Sequence, residues 1–332
     1  VVKYRNSDGR ALWQTTSTAE IVPGATVTYV EESGRLFYSG AFIGQLYING
    51  EEQVGLVANN GVSAFLTELD PLTGKVLKTI FAMDGNLGLI DEFALVADLR
   101  LASSRSNVFL MAAFTSQSLS FGDDIVVTRP LNSSFMSVVA KYDLNLHIQM
   151  IHQLPADVAV FAISANARGH YALVGGIFEN VAFEGLETSP DRTSFVALYN
   201  KVGINIYARQ LFSTNPISFL VGIYRTFLDE HSNCYFSGVF SGDVTLGGVH
   251  LDNRDTTLYN SYIGKLNPSG DTVYFTGTNN AGPPQTLHMV LGQVALPSGE
   301  SYLTGLFQFN MKIGDLEEED DVFRDFLLKL DR

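Results

Sequence analysis

The densest group of residues that could do chemistry is an acidic run near the end of the chain. Five carboxylates follow one another there, at Glu317, Glu318, Glu319, Asp320 and Asp321. Hard cations such as Ca²⁺ bind several carboxylate oxygens, so the run is a candidate calcium site or a contact for a basic partner. Its spacing lacks the Asp-x-Asp-x-Asp-Gly order of a tuned calcium loop. The simpler interpretation is a solvated loop of the fifth repeat, and no cofactor other than this calcium is predicted.

Other carboxylates occur in short groups, and a polysaccharide hydrolase would need two of them at a fixed separation. The groups are Asp84 with Asp91 and Glu92, Asp123 with Asp124, and Asp252 with Asp255. Nothing in the sequence identifies a catalytic pair among them. We therefore favour a non-enzymatic role and keep a propeller hydrolase as an alternative.

The histidines and the single cysteine form no recognisable metal or nucleophile motif. His-x-x-x-His and Cys-x-x-Cys spacings do not occur in the sequence. The six histidines fall at different phases of the internal repeat, so we interpret them as isolated residues. Cys234 lies in the strand-like run Asn233-Cys-Tyr-Phe-Ser-Gly238, and we expect it to be a small buried side chain.

Aromatic side chains are the remaining candidates for ligand contacts. Tyr259 and Tyr262 fall in a segment that we interpret as an irregular loop, where an aromatic ring could contact a ligand. Five other rings recur at one position of the repeat: Phe42, Phe114, Phe178, Phe240 and Phe307. Because they belong to the most regular strand of each repeat, we expect them to pack between sheets.

The charge of the chain excludes two classes of partner. The formal net charge is −14, and the 21 Lys and Arg residues are scattered. A protein surface that binds the phosphate backbone of a nucleic acid needs clustered cations, so we expect no nucleic-acid partner. An anionic membrane would repel the acidic chain. The chain also contains no apolar stretch of about 18 residues, so we expect no membrane insertion.

A recurring phrase defines an internal repeat. It consists of two apolar or aromatic residues, a third residue that is usually small, Gly or Ala, an apolar residue and Phe. Its copies are Phe37–Phe42, Phe109–Phe114, Leu173–Phe178, Tyr235–Phe240 and Tyr302–Phe307. The closing phenylalanines are 72, 64, 62 and 67 residues apart, which indicates five similar units.

A second phrase follows each copy and ends in a triplet such as Lys329-Leu-Asp331. A turn and a further strand come next, as in Asp70-Pro-Leu-Thr-Gly74 and Asn267-Pro-Ser-Gly270. Pro presets φ and Gly accepts positive φ, so these are turn sequences. An apolar run also precedes each copy of the first phrase. Each repeat therefore predicts a four-stranded sheet, and its β-branched and aromatic residues favour strands over helices.

Stacked sheets of this kind bury their faces against each other, and a ring leaves only short edges exposed. We therefore predict an all-β fold, a five-bladed β-propeller that forms a single domain over residues 1–332. The predicted blades are approximately 20–85, 86–155, 156–214, 215–282, and 283–332 together with 1–19.

In this prediction the N- and C-terminal strands share the fifth blade. The fifth repeat stops at Lys329-Leu-Asp331, and Ala11–Trp13 would supply its missing last strand. Val1–Tyr4 then duplicates the strand Phe326–Leu330. The spare strand could lie at the rim, pair with a neighbouring chain, or indicate that the chain is part of a larger propeller or of an open β repeat array.

The repeat resembles the SBBP-type propeller repeats of bacteria and large DNA viruses. Tyr302-Leu-Thr-Gly-Leu-Phe307 and Phe326-Leu-Leu-Lys-Leu-Asp331 carry the resemblance best, whereas Ala112 and Ala113 replace the usual Gly in the second repeat. The resemblance covers nearly the whole chain and marks strands and turns. It implies a secreted or surface-exposed binding or structural module and brings no shared set of catalytic residues.

These observations together predict a non-enzymatic propeller at a cell or virion surface that binds a glycan or a protein, or assembles with copies of itself. A structural subunit of a virion or surface assembly is a further alternative, suggested by the spare strand Val1–Tyr4. The chain starts at Val1 without Met, so we expect a removed leader or a trimmed chain.

Overall fold

The structure is a computed structural model, and strands without any helix make up the regular structure of the residues that it describes. This confirms the predicted all-β class. The described residues are 1–19, 25–83, 100–121, 125–178, 180–213, 222–252, 259–280, 289–295, 301–313 and 316–330.

The chain divides into two compact units, Val1–Asp157 and Val158–Arg332. The sequence predicts a single domain over 1–332, and that stays a prediction. The strands of the first unit are β1 (Val2–Tyr4), β2 (Ala11–Gln14), β3 (Ser17–Thr18), β4 (Ala25–Val30), β5 (Arg35–Ile48), β6 (Glu51–Leu69), β7 (Val76–Met83), β8 (Arg100–Ser103), β9 (Asn107–Phe114), β10 (Ser118–Ser120), β11 (Val126–Thr128), β12 (Met136–Asp143) and β13 (Ile148–Ala156).

The first unit contains two larger antiparallel sheets and two hairpins. The first sheet has the order β3-β5-β6-β7, with β4 beside β5, and the second has the order β13-β12-β9-β8. The hairpins are β1 with β2 and β10 with β11. Phe37 and Leu66 of the first sheet share one apolar core with Leu110 and Val138 of the second.

The second unit repeats the four-stranded arrangement. Its strands are β14 (Val158–Ala165), β15 (Tyr171–Ile177), β16 (Thr193–Tyr199), β17 (Asn205–Ser213), β18 (Gly222–Leu228), β19 (Cys234–Phe240), β20 (Val244–Leu246), β21 (Val249–Leu251), β22 (Asn260–Leu266), β23 (Thr272–Gly277), β24 (Asn279–Asn280), β25 (Met289–Ala295), β26 (Ser301–Ile313) and β27 (Leu316–Leu330).

Three sheets form in this unit. The third sheet of the chain has the order β14-β15-β16-β17 and continues through β20 and β21, and the fourth has the order β18-β19-β22-β23. The fifth sheet has the order β24-β26-β25, with β27 also beside β26. Val196 and Tyr207 of the third sheet share an apolar core with Phe236 and Phe275 of the fourth.

The Asp or Asn that ends the second phrase stabilises the turn between the third and fourth strands of a sheet. Its side-chain oxygen accepts a hydrogen bond from a backbone N–H two to four residues later, as expected for Asx turns. The four bonds are Leu72 N–H to Asp70 at 2.7 Å, His147 N–H to Asp143 at 2.9 Å, Val202 N–H to Asn200 at 3.0 Å and Ser269 N–H to Asn267 at 2.9 Å.

The main strands of the five larger sheets lie within residues 25–83, 100–156, 158–213, 222–277 and 289–330, and the division of the chain into five blades stays a prediction. Three short elements depart from this pattern. The strand β3, the hairpin β20–β21 and the strand β24 each join a sheet of a neighbouring repeat, because they pair with β5, β17 and β26. The sequence pattern did not predict these connections.

The strand Ala11–Trp13 has a different partner from the predicted one. The sequence assigns it to the fifth sheet, beside Phe326–Leu330, whereas the structure pairs β2 with β1 inside the N-terminal segment. The predicted spare strand thus takes the place beside β2. Closure of the five sheets into a ring stays a prediction.

Acid should weaken the first unit through His152. Burial lowers the pKa of this imidazole from 6.5 to about 4. Between these pH values the unfolded chain binds the proton more readily than the folded chain. The contribution of the neutral imidazole to the free energy of unfolding is therefore fully present above about pH 6.5 and is lost as the pH falls towards 4. We expect a loss of about 3 kcal/mol over this interval.

Urea unfolding followed at several pH values between 7 and 4 measures this loss. The variant His152→Asn should flatten the pH dependence of the unfolding free energy. Equal slopes for the wild type and His152→Asn would contradict the assignment.

Candidate functional site

The N-terminal hairpin of β1 and β2 is held against the turn between β6 and β7. The Trp13 indole N–H and the Lys3 ammonium both donate to the carbonyl oxygen of Pro71, at 3.2 and 2.8 Å. The Thr15 hydroxyl donates to the Gly74 carbonyl oxygen at 2.6 Å. Gly74 has a φ of +72°, and a Cβ there would lie 2.5 Å from Trp13 Cε3. Glycine is therefore needed at position 74 for two reasons: it accepts the positive φ, and it leaves room for the Trp13 ring.

The same contact recurs between sheets. Arg209 on β17, the fourth strand of the third sheet, donates from Nε to the carbonyl oxygen of Gly270 in the fourth sheet at 2.8 Å. A Cβ on Gly270 would lie 2.6 Å from the Tyr207 ring. Lys78 on β7 similarly donates to the Asn145 carbonyl oxygen of the second sheet at 2.6 Å. The hairpin therefore contacts the turn of the first sheet in the same way as the fourth strand of one sheet contacts the turn of the following sheet.

This equivalence identifies the position beside β1. In the second, third and fourth sheets the third strand lies between a second and a fourth strand. If the hairpin follows the same order, β2 is equivalent to the fourth strand of a sheet and β1 to the third. The second strand of such a sheet would then lie beside the edge of β1 that faces away from β2. Among the strands that the structure describes, only β2 pairs with β1.

The backbone of β1 shows which groups face that open edge. Val1 and Thr15 exchange two backbone hydrogen bonds of 2.8 Å, so Val1 directs its polar groups towards β2. Because hydrogen-bonded and non-hydrogen-bonded pairs alternate in an antiparallel ladder, Val2 directs its N–H and C=O away from β2. The open edge of β1 therefore presents backbone groups for another strand.

An apolar groove of about 340 Å³ lies beside this edge. Val27 and Tyr29, two residues apart on β4, are 48% and 52% exposed and form one side of it. Val2 and Trp13 of the hairpin also line the groove, and Lys3 is the cation among its lining residues. We call this site, with the edge of β1, the hairpin groove. Its shape and polarity suit an extended chain that places apolar side chains on β4.

The hairpin is locally basic in an acidic protein. Residues 1–14 carry Lys3, Arg5 and Arg10 against the single acid Asp8, whereas the whole chain has a net charge of −14. Asp8 lies 3.3 Å from Arg5 and 3.6 Å from Arg10. One carboxylate is thus shared by two exposed guanidinium groups, which leaves an excess of positive charge at the turn of the hairpin.

The acidic run lies in a strand and not in a loop. Glu317–Asp321 is part of β27, where Glu317 pairs with Lys312, Glu318 with Met311 and Asp320 with Phe309 on β26. The loop prediction was wrong because the backbone of a long hairpin can continue its ladder through charged residues. Within the described part of the chain, no group of three or more potential ligands is arranged to hold a metal ion. Calcium binding at Glu317, Glu318, Glu319, Asp320 and Asp321 stays a prediction.

The two tyrosine candidates differ in their surroundings. Tyr262 lies on β22, is 2% exposed and packs against Phe236, Phe240 and Phe275 with ring centroids 6.3, 6.0 and 5.4 Å away. The prediction that it lies in an irregular loop was wrong, because it is a core residue of the fourth sheet. Tyr259 is half-buried just before this strand. A ligand role for either residue stays a prediction.

The recurring phenylalanines mostly pack as expected. Phe42, Phe114, Phe240 and Phe307 are at most 6% exposed. Phe178 is half-buried, and the Arg192 guanidinium lies 5.0 Å from its ring centroid.

Cys234 is fully buried, which confirms the expectation of a small core side chain. Burial raises the pKa of its thiol to about 12. A thiol that stays protonated at neutral pH is a poor nucleophile.

Most of the other acidic candidates lie outside the described residues. Asp84, Asp91, Glu92, Asp123, Asp124 and Asp255, and also His288, belong to this group. The hairpin groove was not predicted from the sequence. The available signals were the duplicated strand Val1–Tyr4 and Trp13, the single tryptophan of the chain, at the fourth-strand position.

Comparison with known proteins gives only distant structural similarities. No family model and no curated protein matches the chain. A mutant of the Synechocystis apocarotenoid oxygenase is 10% identical with a TM-score of 0.39, over 87% of this chain and 58% of that one. Its cobalt-substituted form is 11% identical with a TM-score of 0.37, over the same shares.

A mannose phosphorylase from Leishmania mexicana, in complex with phosphate ion, is 10% identical with a TM-score of 0.36, over 89% of this chain and 81% of that one. This chain therefore covers 58% of the length of the oxygenase chains. Similarities at this level carry no argument about function. Among the described residues, no helix is long and apolar enough to cross a lipid bilayer.

Proposed function

We propose that this chain is a propeller-type module of five stacked sheets that binds an extended polypeptide in the hairpin groove, exposed at a cell or particle surface. The observation that carries this proposal is the open edge of β1 directly beside an apolar groove. Main-chain hydrogen bonds to an open strand give affinity, and pockets for alternate side chains give specificity. The role is binding and structural, and it requires no catalytic group.

The stacking contact supports the propeller-type arrangement. The fourth strand of one sheet reaches the turn of the next through Lys78 and Arg209, and β2 does the same through Trp13. Such nearest-neighbour contacts are the basis of repeat architectures. A polypeptide bound beside β1 would add a strand to the edge that faces away from β2. This favours a protein ligand over a glycan, the other ligand class that the sequence predicts.

Trp13 provides a direct assay because it is the single tryptophan and lines the groove. The probe is a synthetic peptide with the sequence of Tyr302–Phe307, a second strand of the repeat. We expect it to shift and enhance Trp13 emission in a saturable manner. A peptide with the same composition in scrambled order, and one with N-methylated backbone amides, should not.

Two matched variants locate the binding. Tyr29→Ala removes an exposed ring from the groove and should weaken peptide binding by about tenfold. Tyr47→Ala removes another exposed tyrosine, on β5 and away from the lining residues, and should have no effect. If maltohexaose, cellohexaose or chitohexaose shifts the emission and the peptide does not, the ligand is a glycan and the polypeptide proposal fails. No shift with any probe on the folded protein would also overturn it.

A further inference from the structure

A small cavity lies where the third sheet meets the hairpin β20–β21. Its volume is about 20 Å³, enough for a single occupant about the size of a water molecule or a halide ion. The residues that line it belong to β16, β17, β20 and β22, together with Arg192 directly before β16, so all of them lie in the second unit. The cavity is therefore separate from the hairpin groove, whose residues lie in the first unit.

The polar side chains around the cavity can all donate hydrogen bonds. Arg192 contributes a guanidinium group, which has donors and no acceptor. Four hydroxyl groups come from Thr193, Ser194, Ser213 and Tyr262. Thr193 Oγ1 accepts a hydrogen bond from Gln210 Nε2 at 2.9 Å, and its own proton can still be donated. Among the described residues that line the cavity there is no Asp or Glu. One positive charge and several donors suit an anion and not a cation.

The guanidinium group of Arg192 is held in place by its neighbours. Its Cζ atom lies 5.0 Å from the ring centroid of Phe178 and 5.8 Å from that of Phe161 on β14. Gly176 leaves room for the group, because a Cβ at that position would lie 3.3 Å from Arg192 Nε. Its Nη2 atom is buried. A guanidinium packed on aromatic rings keeps its charge and its donors in a fixed position, which lowers the entropy cost of binding an anion.

The walls of the cavity are largely removed from water. Four of the lining residues are at most 5% exposed, namely Thr193, Leu211, Val244 and Tyr262. An anion there exchanges its hydration shell for the hydroxyl donors and the guanidinium, whose attraction is stronger in these surroundings than in bulk water. The nearest acids along the sequence, Asp191 and Asp243, adjoin lining residues but do not line the cavity themselves.

From these features we infer that the cavity binds one small monovalent anion of halide size, such as chloride, between the Arg192 guanidinium and the surrounding hydroxyl groups. The site lies where two repeats are joined. Ser213 on β17 pairs with Val244 on β20, and this pairing connects the hairpin β20–β21 to the third sheet. Both residues line the cavity, so the bound anion stabilises this connection. The inference goes beyond the proposed function and does not depend on it.

Chloride NMR measures occupancy of the site directly. Chloride replaces gluconate at constant ionic strength, because gluconate is too large for the cavity. We expect the wild-type protein to broaden the chloride line, and added bromide to narrow it again by displacing bound chloride, whereas added gluconate should leave it broad. A chloride line of the same width with and without protein would overturn the inference.

Two matched variants locate the binding. Arg192→Gln removes the charge and should weaken chloride binding about tenfold or more. Arg209→Gln is the control, because Arg209 also lies over an aromatic ring of the third sheet, 5.6 Å from the Tyr207 centroid, but does not line the cavity. It should leave the line broadening unchanged. Equal broadening by folded Arg192→Gln and wild type, or an equal loss in both variants, contradicts binding at this site.

Measurements on the wild type alone test the inference even if Arg192→Gln does not fold. Above the dissociation constant, each tenfold rise in chloride should lower the equilibrium constant for unfolding about tenfold. Backbone amides of residues 211–213 and 244–246 should exchange more slowly in chloride than in gluconate, whereas those of β9 in the first unit should not change. Unchanged exchange around the cavity, or equal slowing in both units, would show that chloride does not act at this site.

Discussion

Gly74→Ala should detach the N-terminal hairpin from the first sheet. The new Cβ would lie 2.5 Å from Trp13 Cε3 and 2.8 Å from the Thr15 hydroxyl oxygen, and the residue keeps a φ of +72°. The tryptophan must move, which breaks its hydrogen bond to Pro71. We expect a red-shifted Trp13 emission, stronger acrylamide quenching and a loss of about 2–3 kcal/mol in stability. Peptide binding should disappear.

A matched glycine separates the contact from the backbone strain. Gly50 has a φ of +79°, and a Cβ there would have no atom within 4 Å. Gly50→Ala should therefore cost only the strain of positive φ, about 1 kcal/mol, and leave Trp13 emission unchanged. Indistinguishable emission and stability for the two variants would show that the hairpin does not pack on Gly74.

Gly175→Ala should strongly destabilise the third sheet. A Cβ at this position would lie 1.8 Å from the carbonyl oxygen of Ala159 on β14 and 3.0 Å from the Phe195 ring. The obstacle is backbone, so relief requires separation of β14 from β15 next to the irregularity between Val160 and Ala162. We expect a loss of about 3 kcal/mol or more, measured by urea unfolding and by faster hydrogen exchange in residues 158–177.

The adjacent residue is the control for this prediction. A Cβ on Gly176 would first meet the Arg192 side chain, at 3.3 Å, which can adjust. Gly176→Ala lies in the same strand and should cost less than about 1 kcal/mol. A comparable loss for both variants would mean that strand propensity, and not the close approach of β14, decides the effect.

Much of the fold was predictable because its signals are local. Alternating apolar residues, Asp or Asn before a turn and the recurring Phe each act within a few residues, and together they predicted an all-β chain with five similar sheets. The buried Cys234 and the packed phenylalanines followed from the same pattern. The hairpin β20–β21 did not, because its pairing with β17 joins segments that the repeat assigns to different sheets.

Two local interpretations failed for physical reasons. We interpreted the segment around Tyr262 as an irregular loop, yet Tyr262 lies on β22 and packs against Phe236 and Phe275. The acidic run also suggested a loop, yet backbone hydrogen bonding between β26 and β27 does not depend on the side chains that it carries. Propensity was overridden by tertiary contacts in both cases.

The sequence by itself determined the strand content, the repeat and the acidic charge, because each depends on residue type and short-range order. Only the tertiary structure decided the candidate site. The hairpin groove joins residues 1–13 to residues 27–36 and to Pro71, which no periodicity links. The structure pairs β2 with β1, although the strand Phe326–Leu330 of the fifth sheet has a similar sequence. Local pattern defines strands, whereas their partners depend on which surfaces meet.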